Sequence, residues 1–213
     1  MLDWQRLQVG AIHENCYLVS DSETNDMLVI DPGDEFDHIV DTIRERGTKP
    51  VAVLLTHAHF DHIGALEAVR MKWHLPVYLH ERENDWLADP AKNGSAYFTF
   101  IDPIYARPAD ILWRHDMLQK IGGFSFQVLE TPGHSPGGVS FYFKKDGLLF
   151  SGDALFKQSI GRSDGLGANV HVLIESIERQ LMTLPLETRV FPGHGEATTI
   201  GDEKATNPFL SEC

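Results

Sequence analysis

Val51-Ala-Val-Leu-Leu55 is an uninterrupted apolar run that ends directly on Thr56-His-Ala-His-Phe-Asp-His62. A run without polar alternation is a strand covered on both faces, which demands layers of structure on either side of it. A polar cluster at the end of such a strand sits at a sheet edge. The chain around it reads as short strands mixed with helices: strands at Leu7–Val9, Cys16–Ser20 and Met27–Ile30, and the turn Asp31-Pro-Gly33. A helix opens at Asp34 or Asp37, carries Ile39, Val40 and Ile43 on one face and ends at Gly47.

Beyond the cluster, Ile63–Trp73 reads as a helix, Pro76–Leu79 as a strand and Glu83–Leu87 as a short helix. Residues 89–112 are the least regular stretch, with four prolines or glycines among Tyr97, Phe98, Phe100 and Tyr105. Both a functional lid and a segment that packs its aromatics on the core fit that composition. Phe124–Glu130, Gly138–Phe143, Leu148–Phe150 and Arg189–Phe191 read as strands, with a hairpin turn at Lys145-Asp-Gly147. Ala168–Leu184 is a long helix candidate. Strands alternating with helices, plus hairpins, give an α/β or α+β layered fold with mixed sheets. The length of 213 residues suits one large domain, and 1–213 is read as a single one.

Four metal-ligating side chains, His57, His59, Asp61 and His62, fall within six residues. Residues two apart in extended chain point the same way, so His57 and His59 can share an ion. Asp61 and His62 fall where a helix begins. Three further candidates each follow a strand: His134 in Thr131-Pro-Gly-His-Ser-Pro-Gly-Gly138, Asp153 in Phe150-Ser-Gly-Asp-Ala154, and His194 in Phe191-Pro-Gly-His-Gly195. Imidazole with carboxylate suits zinc, iron or manganese. Of the 11 histidines, those at 13, 38, 74, 80, 115 and 171 lack such company and are read as structural or exposed.

Composition narrows the partners. A formal charge of −13 opposes binding to nucleic acid. No apolar run approaches the length of a bilayer span, and Met1-Leu-Asp-Trp-Gln-Arg lacks the basic and apolar segments of a secretory signal, so no membrane association and a cytoplasmic location are expected. Two cysteines, Cys16 and Cys213, give no disulfide framework, and Cys16 reads as a small buried apolar residue. Oligomeric state is not legible.

The cluster His57-x-His59-x-Asp61-His62, followed by His134, Asp153 and His194, resembles the signature of the metallo-β-lactamase superfamily over nearly the whole chain. The resemblance implies a four-layer αβ/βα sandwich with two mixed sheets and two divalent ions, zinc first and iron or manganese as alternatives. It implies one ion on His57, His59 and His134, the other on Asp61, His62 and His194, and Asp153 bridging both. Asp153 with no cysteine beside it, Gly152-Asp-Ala-Leu-Phe156 and Ser159-Ile-Gly-Arg-Ser-Asp164 are similar to short glyoxalase-II-like hydrolases. That similarity implies a thioesterase acting on a hydroxyacyl thioester such as lactoyl-glutathione. Arg162 stands where glyoxalase II grips the glutathione carboxylate, with a surface ion pair as its other reading. About twenty residues follow His194, where full-length glyoxalase II continues into a helical domain with further glutathione contacts.

Ions so held would make Asp61 a group that orients the attacking hydroxide, and no serine or cysteine nucleophile is required; no Gly-x-Ser-x-Gly elbow occurs. Persulfide dioxygenases, with one iron on His57, His134 and Asp153, resemble the same pattern and are the principal alternative.

Overall fold

The computed structural model describes residues 1–210, so Cys213 lies outside the described residues. By backbone contacts the chain divides into two compact units. The first is Met1–Arg114 with Lys120–Phe124, and the second is His115–Gln119 with Ser125 onward.

The first unit holds a six-stranded sheet in simple sequence order: β1 (Leu2–Val9), β2 (Glu14–Asp21), β3 (Asp26–Ile30), β4 (Lys49–Leu54), β5 (Val77–His80) and β6 (Ile111–Trp113). The first three strands run antiparallel, and β3 through β6 are parallel. Parallel neighbours need crossovers, here α1 (Phe36–Arg46) and the pair α2 (Phe60–Ile63) and α3 (Leu66–Trp73), while α4 (Pro90–Asn93) lies between β5 and β6. The core gathers Leu18, Val29, Val53, Leu66, Val69 and Val77, all fully buried.

The second large sheet, drawn mainly from the second unit, consists of β7 (Met117–Ile121), β8 (Phe124–Glu130), β9 (Val139–Phe143), β10 (Leu148–Gly152), β13 (Arg189–Pro192) and β14 (Thr198–Thr199) in the order β14-β13-β10-β9-β8-β7. A small hairpin, β11 (Leu155–Phe156) with β12 (Ser159–Ile160), follows β10, and α5 (Val170–Ser176) and α6 (Ile200–Thr206) complete the unit. Leu149, Leu155, Leu173, Ile177, Leu181 and Val190 pack together, and Phe126, Phe141, Phe143, Phe150 and Phe191 form a chain of ring contacts. The two large mixed sheets anticipated from the sequence are present.

Several boundaries differ for identifiable reasons. The first helix opens at Glu35, in a left-handed conformation, and not at Asp34 or Asp37; Gly47 closes it as expected, with φ 63°. The helix expected over residues 63–73 is two, separated at Gly64-Ala65, and the cluster's Asp61 and His62 lie on the first of them. Asn169 caps α5 by accepting from the amides of His171 and Val172, so that helix begins after residue 168 and ends in a π-helical turn at Ile177–Leu181. The helix expected at 83–87 is a 3₁₀ turn at Glu81–Glu83. Residues 89–112 are less irregular than expected, since they hold α4, a 3₁₀ turn and most of β6. Among the described residues, no helix is long and apolar enough to cross a membrane.

Candidate metal centre

In the first unit the candidate ligand cluster hangs from the C-terminal end of β4. His57 follows that strand, His59 is the residue before α2, and Asp61 and His62 form its first turn. The His57 and His59 rings meet edge-on with centroids 4.7 Å apart, and the His57 and His62 centroids are 4.1 Å apart. His62 Nε2 lies 3.5 Å from Asp61 Oδ2. The four residues that the sequence grouped are therefore brought together.

Neighbouring strand ends hold this loop. Asp31, 2% exposed at the end of β3, accepts from the Thr56 amide at 2.7 Å and from the Thr56 hydroxyl at 2.6 Å. Its Oδ2 also stands 3.0 Å from His62 Nδ1. The Thr56 proton is committed to Asp31, so Thr56 Oγ1, 3.0 Å from His57 Nδ1, accepts from that nitrogen. Both rings thereby carry their proton on Nδ1 and a lone pair on Nε2, the tautomer a metal needs. Glu83, fully buried after β5, accepts from the Ala58 amide at 2.6 Å and so fixes the backbone between His57 and His59. Glu14, at the start of β2, places Oε1 3.6 Å from His62 Nδ1. Sequence reasoning took Asp31 for a turn residue and did not single out Glu14 as a site residue. The available signal was an acid at a strand end beside β4, the same placement that made Asp153 conspicuous.

In the second unit β8, β10 and β13 all point the same way, because β8 and β10 are each antiparallel to β9 while β13 is parallel to β10. Their C-terminal ends share an edge and deliver His134, Asp153 and His194 to it. Asp153 Oδ2 is 3.5 Å from His134 Nε2 and 3.7 Å from His194 Nε2. Two ligand atoms each about 2.0–2.1 Å from one tetrahedral ion lie roughly 3.4 Å apart, so these separations fit coordination to shared ions. His134 Nδ1 lies 2.8 Å from the backbone carbonyl of Arg162, which can only accept, and this sets the same tautomer as in the first unit. The Arg162 side chain pairs with Asp164 at 2.8 Å and is two-thirds exposed.

Each unit also has a glycine forced against the residue that carries a candidate carboxylate ligand. A Cβ on Gly33 would lie 1.8 Å from the Asp61 carbonyl oxygen, and one on Gly161 would lie 1.8 Å from that of Asp153. Only hydrogen fits where the chain passes beneath each carboxylate ligand. Cys16 is fully buried, and burial together with the carboxylates of Glu14 and Asp31 pushes its thiol well up, away from the reactive thiolate.

The family model of the metallo-beta-lactamase superfamily matches residues 9–194. The chain belongs to that superfamily. A probable metallo-hydrolase, YqgX from Bacillus subtilis (strain 168), is 49% identical over 99% of this chain and 98% of its own. The hydroxyacylglutathione hydrolase GloC of Haemophilus influenzae is 32% identical over 96% of both chains. Among solved structures, the BLEG-1 B3 metallo-beta-lactamase is 45% identical with a TM-score of 0.94, covering 98% of this chain and all of its own. TTHA1623 in a di-iron-bound form is 41% identical with a TM-score of 0.83, covering 97% and 100%. Membership of this superfamily, with clusters of His and Asp suited to divalent ions, supports a metal-dependent hydrolase.

Proposed function

We propose that the protein is a binuclear metal-dependent thioesterase of glyoxalase II type, acting on a hydroxyacyl thioester such as lactoyl-glutathione. In this reading His57, His59 and His134 would hold one ion, Asp61, His62 and His194 would hold the other, and Asp153 would serve both. The observation that carries it is the locked tautomer: His57, His62 and His134 each have Nδ1 tied to an acceptor, which turns Nε2 to ligation. Likeness to GloC supports the thioester class. Zinc is the metal proposed first, and the di-iron form of TTHA1623 supports iron as the alternative.

When bound, such ions lower the pKa of a water toward neutrality and polarise a carbonyl oxygen. The chain's own part is orientation. Asp31 and Thr56 hold His62 and His57, Glu83 holds the loop between His57 and His59, and Asp61 would orient the attacking water toward the acyl carbon. The carbon–sulfur bond then breaks and the thiolate leaves with the electron pair. A thiol's pKa of about 8.5 means that it departs at neutral pH with little help from a general acid. Arg162 serves the substrate carboxylate in this proposal, in competition with Asp164.

The test is a hydrolysis screen of lactoyl-glutathione against other thioesters, lactones and a β-lactam, with metal content measured on the same protein. The screen is repeated on His57→Ala and Asp153→Ala. Turnover of thioesters that disappears with bound metal in both variants is expected. Full activity in either purified variant, or hydrolysis confined to the β-lactam, overturns the assignment. Oxygen uptake with glutathione persulfide, together with a single iron per chain, would favour the dioxygenase reading instead.

A further inference from the structure

In the second unit all three candidate ligands meet one small element, the β11–β12 hairpin. Asp153 lies just before it, and Gly161, just after it, packs against the Asp153 carbonyl. Arg162 then supplies the carbonyl behind His134 Nδ1. Phe156 meets the His194 ring edge-on, with centroids 6.3 Å apart. Yet the hairpin holds itself weakly. Its ladder is two residue pairs, Leu155 with Ile160 and Phe156 with Ser159, and a short hairpin alone is marginal in water. Gln158 in its turn takes a left-handed conformation, φ 56°, which a residue with a side chain adopts at a cost. The base is tied to β10, where the Ser151 hydroxyl donates to the Leu155 carbonyl at 2.9 Å. The Lys157–Glu196 pair at the turn is exposed, and such pairs contribute little.

The turn is fastened instead by a buried side chain of α6 and by the residue after that helix. Glu203, 1% exposed, accepts from the Gln158 amide at 2.8 Å and from the Thr198 hydroxyl at 2.6 Å. Asn207, fully buried, donates from Nδ2 to the Ser159 carbonyl at 3.0 Å and to Glu203 at 2.8 Å. A carboxylate is costly to bury unless donors meet it, and here three do. Resting on the metal-ligand assignment of the proposed function, we infer that Glu203, with Asn207, is a positioning residue for the metal centre. It holds the β11–β12 hairpin in the place that sets Asp153, His134 and His194 together. A hydrocarbon at residue 203 would fill the space but take the acceptor from the Gln158 amide. The turn would then relax, and with it the elements behind the three ligands.

The experiment loads the whole protein with cobalt(II) and reads its visible ligand-field bands, its resistance to a chelator and its urea midpoint. Glu203→Leu and Asn207→Ala are expected to shift the bands and weaken cobalt binding roughly three- to tenfold, short of the roughly 10- to 100-fold that follows loss of a partner directly behind a ligand. Glu203→Gln keeps an oxygen for the Gln158 amide and offers its own amide to the Thr198 hydroxyl, so it should keep the parent's bands. Phe126→Leu, among the ring contacts and outside the core that holds Leu155 and Ile160, should lower the urea midpoint without moving the bands. Parental bands and affinity in Glu203→Leu overturn the inference, as do equal shifts in Phe126→Leu or in Glu203→Gln. If Glu203→Leu does not fold, Asn207→Ala decides on the same terms. A parent that binds no cobalt sinks the metal assignment itself. The ring-nitrogen NMR shifts of His134 in the metal-free protein then decide: a changed tautomer balance in the variant upholds the positioning role, and unchanged shifts overturn it. Shifted bands without thioester hydrolysis by the parent would sink the thioesterase reading and leave the positioning role standing.

Discussion

The first unit carries its candidate metal ligands on one loop, residues 57–62, whereas the second spreads its candidates over three strand ends from residue 134 to residue 194. The two units also hold their histidines differently. In the first, the rings are oriented by side chains, with Asp31 behind His62 and Thr56 behind His57. In the second, His134 is oriented by the backbone carbonyl of Arg162. A compact loop has no sheet of its own to fix it, so neighbouring strands must lend carboxylates; ligands dispersed over parallel strand ends are positioned by the sheet itself. What the units share is a glycine packed against the backbone carbonyl of a candidate aspartate ligand, Gly33 against Asp61 and Gly161 against Asp153.

The shared feature gives the largest expected effect. Gly33→Ala and Gly161→Ala each force a methyl group into a backbone carbonyl, so each should destabilise by about 1–3 kcal/mol or more and lower metal content. Denaturant midpoints and elemental analysis check this, and full metal occupancy in one variant alone would break the parallel between the units. A smaller effect sharpens the contrast in how the rings are held. Asp31→Asn should weaken metal binding by roughly 10- to 100-fold, as loss of a partner behind a ligand does. Arg162→Ala, which keeps the backbone carbonyl behind His134, should leave metal affinity unchanged. Chelator competition on both variants reads the difference, and equal losses would show that the Arg162 side chain matters to the site.

The smallest effect concerns the segment leading to β6. Arg70, 8% exposed at its side chain, binds Glu67, Asp110 and the carbonyls of Arg107 and Pro108. Burial pushes the Glu67 carboxyl up, but the Arg107 amide and guanidinium and the Arg70 guanidinium outweigh it and hold the group below its usual range. Asp110 behaves alike, with burial opposed by the Val77 amide and by Arg70. A carboxyl whose folded pKa is depressed adds stability above its unfolded pKa and loses it as pH falls through the folded value. Stability should therefore decline below about pH 4. The gap in urea midpoint between the parent and Glu67→Gln should be present at pH 7 and narrow progressively as pH falls below about 4. A gap that does not narrow with falling pH would assign the stabilisation to packing of the side chain and not to its charge.

The sequence by itself determined the elements with strong local signals. Strand β4, buried without alternation, the helix that Gly47 stops and the six-residue cluster were legible because each depends on neighbours in the chain. Edge strands such as β7, with an exposed and mixed pattern, and the two-residue strands β11, β12 and β14 carried no such signal, since a partner strand defines them more than their own side chains do. The same division holds at the site. His134, Asp153 and His194 could be picked out by their strand-then-glycine settings, but only the common direction of β8, β10 and β13 puts them at one edge. Asp31, Thr56 and Glu83 could not be assigned at all from spacing, because a hydrogen bond between two strand ends belongs to the register of the sheet, and register is settled by what the whole core must bury.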